Sequence, residues 1–262
     1  MRYCRFQSSS GPQFGRIESR GGTDYITAIL QHWSGDSTLH LDPKFQPIPI
    51  SEAKLLAPTV PSKIICVGRN YRDHASEMGN DVPVEPLIFF KPPSAIIGPG
   101  DQIKLPPSTL TQRVDYEGEL AFIIGKRCSK LTDKDSVSDF IRGYTCANDV
   151  TARDLQKKDG QWTRAKGFDT FCPLGPIVTD EVDVTAGIDL TTRLNGDEKQ
   201  RGNTREFIFA IDAVLRYITA AITLEPGDLI LTGTPAGVSP MKAGDVVEVS
   251  IAGIGTLKNS VA

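Results

Sequence analysis

Two carboxylates flank a glycine in Asp115-Tyr116-Glu117-Gly118-Glu119, and the apolar run Leu120-Ala121-Phe122-Ile123-Ile124 follows directly. On a β-strand successive side chains alternate faces, so Glu117 and Glu119 share one, with Cα atoms about 6.6 Å apart, and Gly118 leaves room for a close neighbour. Beyond them both faces are apolar, Ala121 and Ile123 on the acidic side and Leu120, Phe122 and Ile124 on the other. The acids therefore stand where the strand enters a core. Two partly buried carboxylates about 5 Å apart repel by about 3 kcal/mol at an effective dielectric of about 20, and a cation is the simplest relief. A third acid, Asp149, ends the apolar segment Gly143-Tyr144-Thr145-Cys146-Ala147-Asn148. Three carboxylates with no adjacent His or Cys suit a hard cation, Mg²⁺ or Mn²⁺ ahead of Zn²⁺. Each signal has an ordinary alternative: a solvated strand end with basic partners for the Glu pair, and a cap on the following turn for Asp149.

His74 and Glu77 are three residues apart in Gly68-Arg69-Asn70-Tyr71-Arg72-Asp73-His74-Ala75-Ser76-Glu77. On a helix they share a face, where the carboxylate can orient the imidazole as a base toward water. The same spacing serves a surface polar pair. Lys166, in Arg164-Ala165-Lys166-Gly167-Phe168, could face a developing oxyanion or solvent. His32 and His40 are the other histidines, too few for a His-rich metal site. A phosphate loop, a nucleophile elbow and an H-E-x-x-H helix are all absent, and Gly253-Ile254-Gly255 reads as a hairpin turn rather than a dinucleotide fingerprint.

These residues need strands to hold them. Buried strands are expected at Lys63 to Gly68, Leu87 to Phe90, Glu119 to Ile124, Tyr144 to Ala147, Leu190 to Leu194, Leu229 to Thr232 and Val246 to Ile251. One long helix carries the stripe Ile208, Ile211, Leu215, Ile218 and Ile222, and a shorter one is expected around Asp135 to Arg142. Short apolar runs, Tyr3 to Phe6, Tyr25 to Leu30 and Thr38 to Leu41, suggest a small N-terminal β-rich unit. The prolines of the next stretch, Pro47, Pro49, Pro58 and Pro61, suggest a connecting arm. The expected units are residues 1–56 and 57–262, and the expected class is α+β, dominated by β.

Composition removes further classes. The 262 residues are 39% hydrophobic and 23% charged, ordinary for a folded protein. Lys plus Arg number 29 against 32 Asp plus Glu, a net charge of -3 with no basic block, which argues against nucleic acid or an anionic membrane as partner. The five cysteines are widely spaced and form no C-x-x-C pair, so they read as reduced, buried thiols. Residues 1–15 lack a charged region followed by an apolar one, and no apolar run approaches the about 18 residues of a membrane span. A cytoplasmic protein is expected.

The order and wording of these segments resemble the fumarylacetoacetate hydrolase family from about Lys63 to Leu257. The match is carried by residues 68–77, by Asp115-Tyr116-Glu117-Gly118-Glu119-Leu120, and by Asn148-Asp149-Val150-Thr151-Ala152-Arg153-Asp154-Leu155-Gln156. Residues 166–176 and Leu231-Thr232-Gly233-Thr234-Pro235-Ala236-Gly237-Val238 extend it, while the stretch from Met1 to about Leu55 matches only loosely, as a small N-terminal β domain. The resemblance implies a rolled, mixed β-sheet around a divalent metal, Mg²⁺ or Mn²⁺, in a homodimer or larger assembly. It makes Glu117, Glu119 and Asp149 the metal ligands and His74 with Glu77 an acid/base dyad on a lid segment. Lys166 becomes the cation facing the substrate oxygen, with Gln156 and Thr234 as substrate contacts. A 2-oxo acid chelates such a cation, which stabilises the enolate formed when a neighbouring C–C bond breaks. Hydrolysis of an acylpyruvate is the expected reaction, with oxaloacetate decarboxylation or keto-enol tautomerisation as the alternative. A non-catalytic metal and ligand-binding protein is the reading from another class.

Overall fold

Alternating apolar residues in the first thirty positions build an antiparallel meander of β1 (Arg2–Ser8), β2 (Gly11–Arg20) and β3 (Thr23–Leu30). The computed structural model describes residues 1–30, 39–40, 45–77, 79 and 81–262. His32, Met78, Asn80 and the two ends, Thr38 and Leu41, of the apolar run expected at 38–41 lie outside the described residues.

The apolar runs that follow become β4 (Ile64–Gly68), β5 (Leu87–Lys91), β6 (Gly118–Ile124), β7 (Ile141–Asn148) and β8 (Cys172–Thr179). Four more, β9 (Asp189–Leu194), β10 (Asp197–Asn203), β11 (Leu229–Leu231) and β12 (Val246–Ile251), precede the last strand, β13 (Gly255–Val261). One sheet runs in the order β3-β2-β1-β8-β7-β6-β11-β4-β5, and the meander joins it where Arg2 and Tyr3 pair with Thr179 and Val178. The sheet is mixed, because β11 pairs in parallel with β4 and antiparallel with β6. A second sheet has the core order β13-β12-β9-β10, and Gly253 and Ile254 turn between β12 and β13 as the glycine pattern predicts.

Every residue of β6 is buried, which explains its unbroken apolar run. Leu120, Phe122 and Ile124 enter a core that also holds Leu190, Val249, Ile251 and Leu257 of the second sheet, while Ala121 and Ile123 enter another on the opposite face. The α-helices among the described residues are α1 (Arg72–Glu77), α2 (Arg153–Asp159), α3 (Thr163–Lys166) and α4 (Ile211–Ala221), and α4 packs on the first of these cores.

Two helical expectations are corrected. The stripe from Ile208 to Ile222 overshoots α4 at both ends: the Ile208 and Phe209 N–H groups are taken by the Asn70 carbonyl and side chain, so the helix starts only at Ile211, and Ile222 is its cap. The helix expected at 135–142 is a single 3-10 turn, Val137–Phe140, and from Ile141 the chain is a central strand between β6 and β8. Ladder bonds on both edges outweigh weak local helix preference. The polar β10 was not expected as a strand at all; Asn195 and Gly196, both at positive φ, turn the chain so that it pairs along β9.

All five cysteines are free and buried. Burial pushes the Cys4, Cys146 and Cys172 thiols up to about 12. Unfolded thiols ionise near pH 8.5, so the unfolded chain releases these protons first; the stability they contribute is complete below that pH and is lost as pH rises toward 12. The expected loss is about 2 kcal/mol per thiol by pH 10. Guanidinium unfolding midpoints at pH 7.5 and pH 10 measure it, and a flat midpoint would contradict the assignment.

Candidate active site

Antiparallel pairing of β6 with β7 sets Gly118 opposite Asn148, so the start of one strand meets the end of the other. The Asn148 side chain accepts from the Glu117 N–H at 2.9 Å, and the Asp149 N–H donates to the Glu117 carbonyl at 2.8 Å. Glu117, Glu119 and Asp149 thereby offer carboxylate oxygens that all lie within 4.8 Å of one another, and all three residues are buried. Gly118 is required by a close approach from the second sheet: a Cβ there would sit 2.0 Å from Thr192 Oγ1. Asp149 does not cap the following helix, whose N-cap, Ala152, has no side-chain bond.

Cations surround this cluster. Lys166 Nζ donates to Glu117 Oε2 and to Asp149 Oδ2, each at 2.7 Å. Lys91 Nζ, at the end of β5, donates to Asp149 Oδ1 at 2.6 Å. Arg153 donates to Glu117 at 2.6 Å, to Asp115 at 3.0 Å and to Gln156 at 2.8 Å. Burial pushes the Glu117 carboxyl up, but Lys166 and Arg153 outweigh it and hold it below the usual carboxylate range. Glu119 differs. Its Oε2 accepts the Gly233 N–H at 2.7 Å, and among the described residues no Lys or Arg pairs with it. Burial, with the Asp149 and Glu117 charges beside it, holds Glu119 well above that range. A buried acid to which no Lys or Arg of the described residues is bonded, completing a set of hard oxygen donors, fits a divalent cation.

His74 and Glu77 fall on α1 as expected, with Nδ1 3.2 Å from Glu77 Oε2, and Glu77 Oε1 accepts the Gly237 N–H at 3.0 Å. Thr234 donates to the Gly118 carbonyl at 2.8 Å and accepts from Gln200 at 2.7 Å. One cavity of about 620 Å³ is lined by all eight residues singled out in the sequence: His74, Glu77, Glu117, Glu119, Asp149, Gln156, Lys166 and Thr234. Trp162 lines the same cavity and also packs edge-on against Phe89, with ring centroids 5.1 Å apart, so it serves both pocket and wall.

Sequence reasoning missed four supporting residues: Asn70, Lys91, Arg153 and Gln200. Lys91 had a signal, a lone base closing the apolar run Leu87-Ile88-Phe89-Phe90, and a buried lysine there requires an acid. Asn70 and Gln200 act across strands distant in sequence and had none.

A family model described as fumarylacetoacetate (FAA) hydrolase, C-terminal, matches residues 63–262. The chain belongs to the fumarylacetoacetate hydrolase family. A second model, Rv2993c-like, N-terminal, matches residues 1–58. Protein Rv2993c of Mycobacterium tuberculosis is 48% identical over 266 residues, covering 100% of this chain and 98% of that protein. The mitochondrial oxaloacetate tautomerase fahd2 of Xenopus laevis is 44% identical, covering 100% of this chain and 90% of its own length. Among solved structures, 5-carboxymethyl-2-hydroxymuconate delta-isomerase from Mycobacterium smegmatis matches with a TM-score of 0.90 at 42% identity, covering 100% of this chain and 99% of that one. The β-dominated α+β architecture with its small N-terminal β unit is thus the fold of this family, and the chain is an enzyme of it. Among the described residues no helix is long and apolar enough to cross a membrane.

Proposed function

We propose that this fumarylacetoacetate hydrolase family member cleaves a C–C bond in an acylpyruvate-type 2-oxo acid through its enolate. The observation that carries this reading is the His74–Glu77 dyad, hydrogen-bonded and facing the same cavity as the three buried carboxylates. Glu117, Glu119 and Asp149 would hold Mg²⁺ or Mn²⁺, which when bound supplies Lewis-acid stabilisation to an enolate. Glu77, fixed by the Gly237 N–H, orients His74 to take a proton from water. The hydroxyl adds to the distal carbonyl, where Lys166 supplies positive charge for the oxyanion. The C–C bond then breaks, its electron pair passing to the enolate, and the proton on His74 returns to the enolate carbon to give pyruvate and a carboxylate. Arg153 holds Gln156 toward the cavity, and Gln200 holds Thr234, so both side chains are set to contact substrate.

A second reading, keto-enol tautomerisation of oxaloacetate, is favoured by the 44% identical, full-length relative of that activity. It needs His74 only to move a proton between carbon and oxygen; decarboxylation would release CO₂ and leave the C–C electron pair in the same enolate. Residues 1–56 and 57–262 are proposed as the two units, a homodimer as the working form in keeping with the family resemblance, and the cytoplasm as its location.

Turnover of acetylpyruvate and oxaloacetate, measured side by side with Mg²⁺, with Mn²⁺ and after EDTA, tests these readings, and the faster substrate selects between them. His74→Ala is expected to lower acetylpyruvate cleavage by about 1000-fold, within the range of a positioned general base. Cleavage unaffected by that change would remove water activation from the mechanism.

A further inference from the structure

Five cations line the active-site cavity, and three of them are committed to acids. Lys166 is bonded to Glu117 and Asp149, Arg153 to Glu117 and Asp115, and Arg113 to Asp115. Among the described residues, Arg69 and Lys157 have no acidic partner. Lys157 is exposed on α2, whereas Arg69 is half-buried between β4 and α1.

The backbone at Arg69 is unusual: its φ is 56°, the left-handed region that a side chain with a Cβ seldom occupies. The surroundings impose it. Asn70, the next residue, is clamped to Phe209 and Thr232, donating to their carbonyls at 3.1 and 2.8 Å. The approach there is so close that a Cβ on Gly233 would fall 2.7 Å from Asn70 Cβ. A strained residue persists when its neighbours over-determine it, and such positions cluster at binding sites. Here the strained residue that lines the cavity is an arginine, whose guanidinium offers five donors in a planar fork suited to a carboxylate, and among the described residues no acid pairs with it.

We infer that Arg69 is a specificity residue that binds a second carboxylate of the substrate, so that this site takes 2-oxo acids with an acid group at both ends. The inference rests on the proposed 2-oxo acid chemistry, which occupies the carboxylate cluster with one end of the substrate and leaves the other to be read. It is compatible with oxaloacetate and with an acylpyruvate whose acyl group ends in a carboxylate.

Calorimetric binding of malate and of lactate in saturating Mg²⁺ tests it, since both offer a 2-hydroxy acid and only malate adds a second carboxylate. Wild type is expected to bind malate at least about 10-fold more tightly, the margin of one charge-assisted contact. Arg69→Gln and Arg69→Gly are both expected to reduce that preference to about 2-fold, and Arg69→Lys to retain part of it. The glycine variant also relieves the left-handed backbone, which guards against a failure to fold, and a Mn²⁺ titration reports that the carboxylate cluster is intact. A preference that survives both variants, that is absent in wild type, or that is lost instead in Lys157→Ala would overturn the role of Arg69. If wild type turns over no 2-oxo acid yet its malate preference falls with Arg69, the reaction reading fails and the ligand class stands. If oxaloacetate is turned over and the preference ignores Arg69, the reaction stands and the inference falls.

Discussion

Glu119→Gln is expected to lower metal-dependent turnover by about 1000-fold or more while leaving the metal-free protein at least as stable as wild type. Glu119 is buried among two other carboxylates, among the described residues no Lys or Arg pairs with it, and burial with Asp149 and Glu117 beside it holds it well above the usual carboxylate range. A glutamine keeps the carbonyl that accepts the Gly233 N–H and removes the charge problem, so the fold loses nothing. The site loses an oxygen ligand. Glu117→Gln should also abolish turnover, but it takes a charge from Lys166 and Arg153, both buried, and should cost about 3 kcal/mol. Turnover, Mn²⁺ titration and melting curves with and without metal separate the two. A metal-free Glu119→Gln protein that melts several degrees below wild type would mean that this acid is already compensated. Because burial and the neighbouring carboxylates raise Glu119, protons compete with a cation for it, and Mn²⁺ binding to wild type should weaken as pH falls.

Asn70→Asp is the second large effect, expected to cost about 3 kcal/mol of stability and about 100-fold in kcat. The asparagine donates to two carbonyls and accepts the Phe209 N–H at 2.8 Å, all in a buried position. Aspartate keeps the acceptor and sets an anion against both carbonyls. Asn70 lies four residues before His74, so loosening it displaces the dyad, and a displacement of about 1 Å is enough for a loss of this size. Mn²⁺ affinity should fall less than kcat, since the clamp reaches the three acids only through the Thr232–Gly233 peptide, whose N–H donates to Glu119. Denaturant midpoints within 1 kcal/mol of wild type, or a loss of metal affinity in place of kcat, would refute this account.

The sequence by itself determined which faces are apolar and which residues could do chemistry. Alternation along Glu117 to Ile124 assigned Leu120, Phe122 and Ile124 to one core and Ala121 and Ile123 to another, and the structure places them so. Three-residue spacing put His74 beside Glu77, and the i,i+3,i+4 pattern found α4 apart from its ends. These are local properties, written in the period of strand and helix.

The tertiary structure decided what local periodicity cannot encode. The β6–β7 register, with Gly118 opposite Asn148, is what brings Asp149 to Glu117 and Glu119 across thirty residues of chain. Whether Lys91 faced solvent or Asp149 depended on where β5 ends against the site, and the helix expected at 135–142 yielded to a strand bonded on both edges. The left-handed turn at Arg69 exists because Asn70 is clamped by Phe209 and Thr232, residues about 140 and 160 positions away. Register, burial of charge and backbone strain are set by long-range packing, whose energy exceeds the propensities that a short window of sequence records.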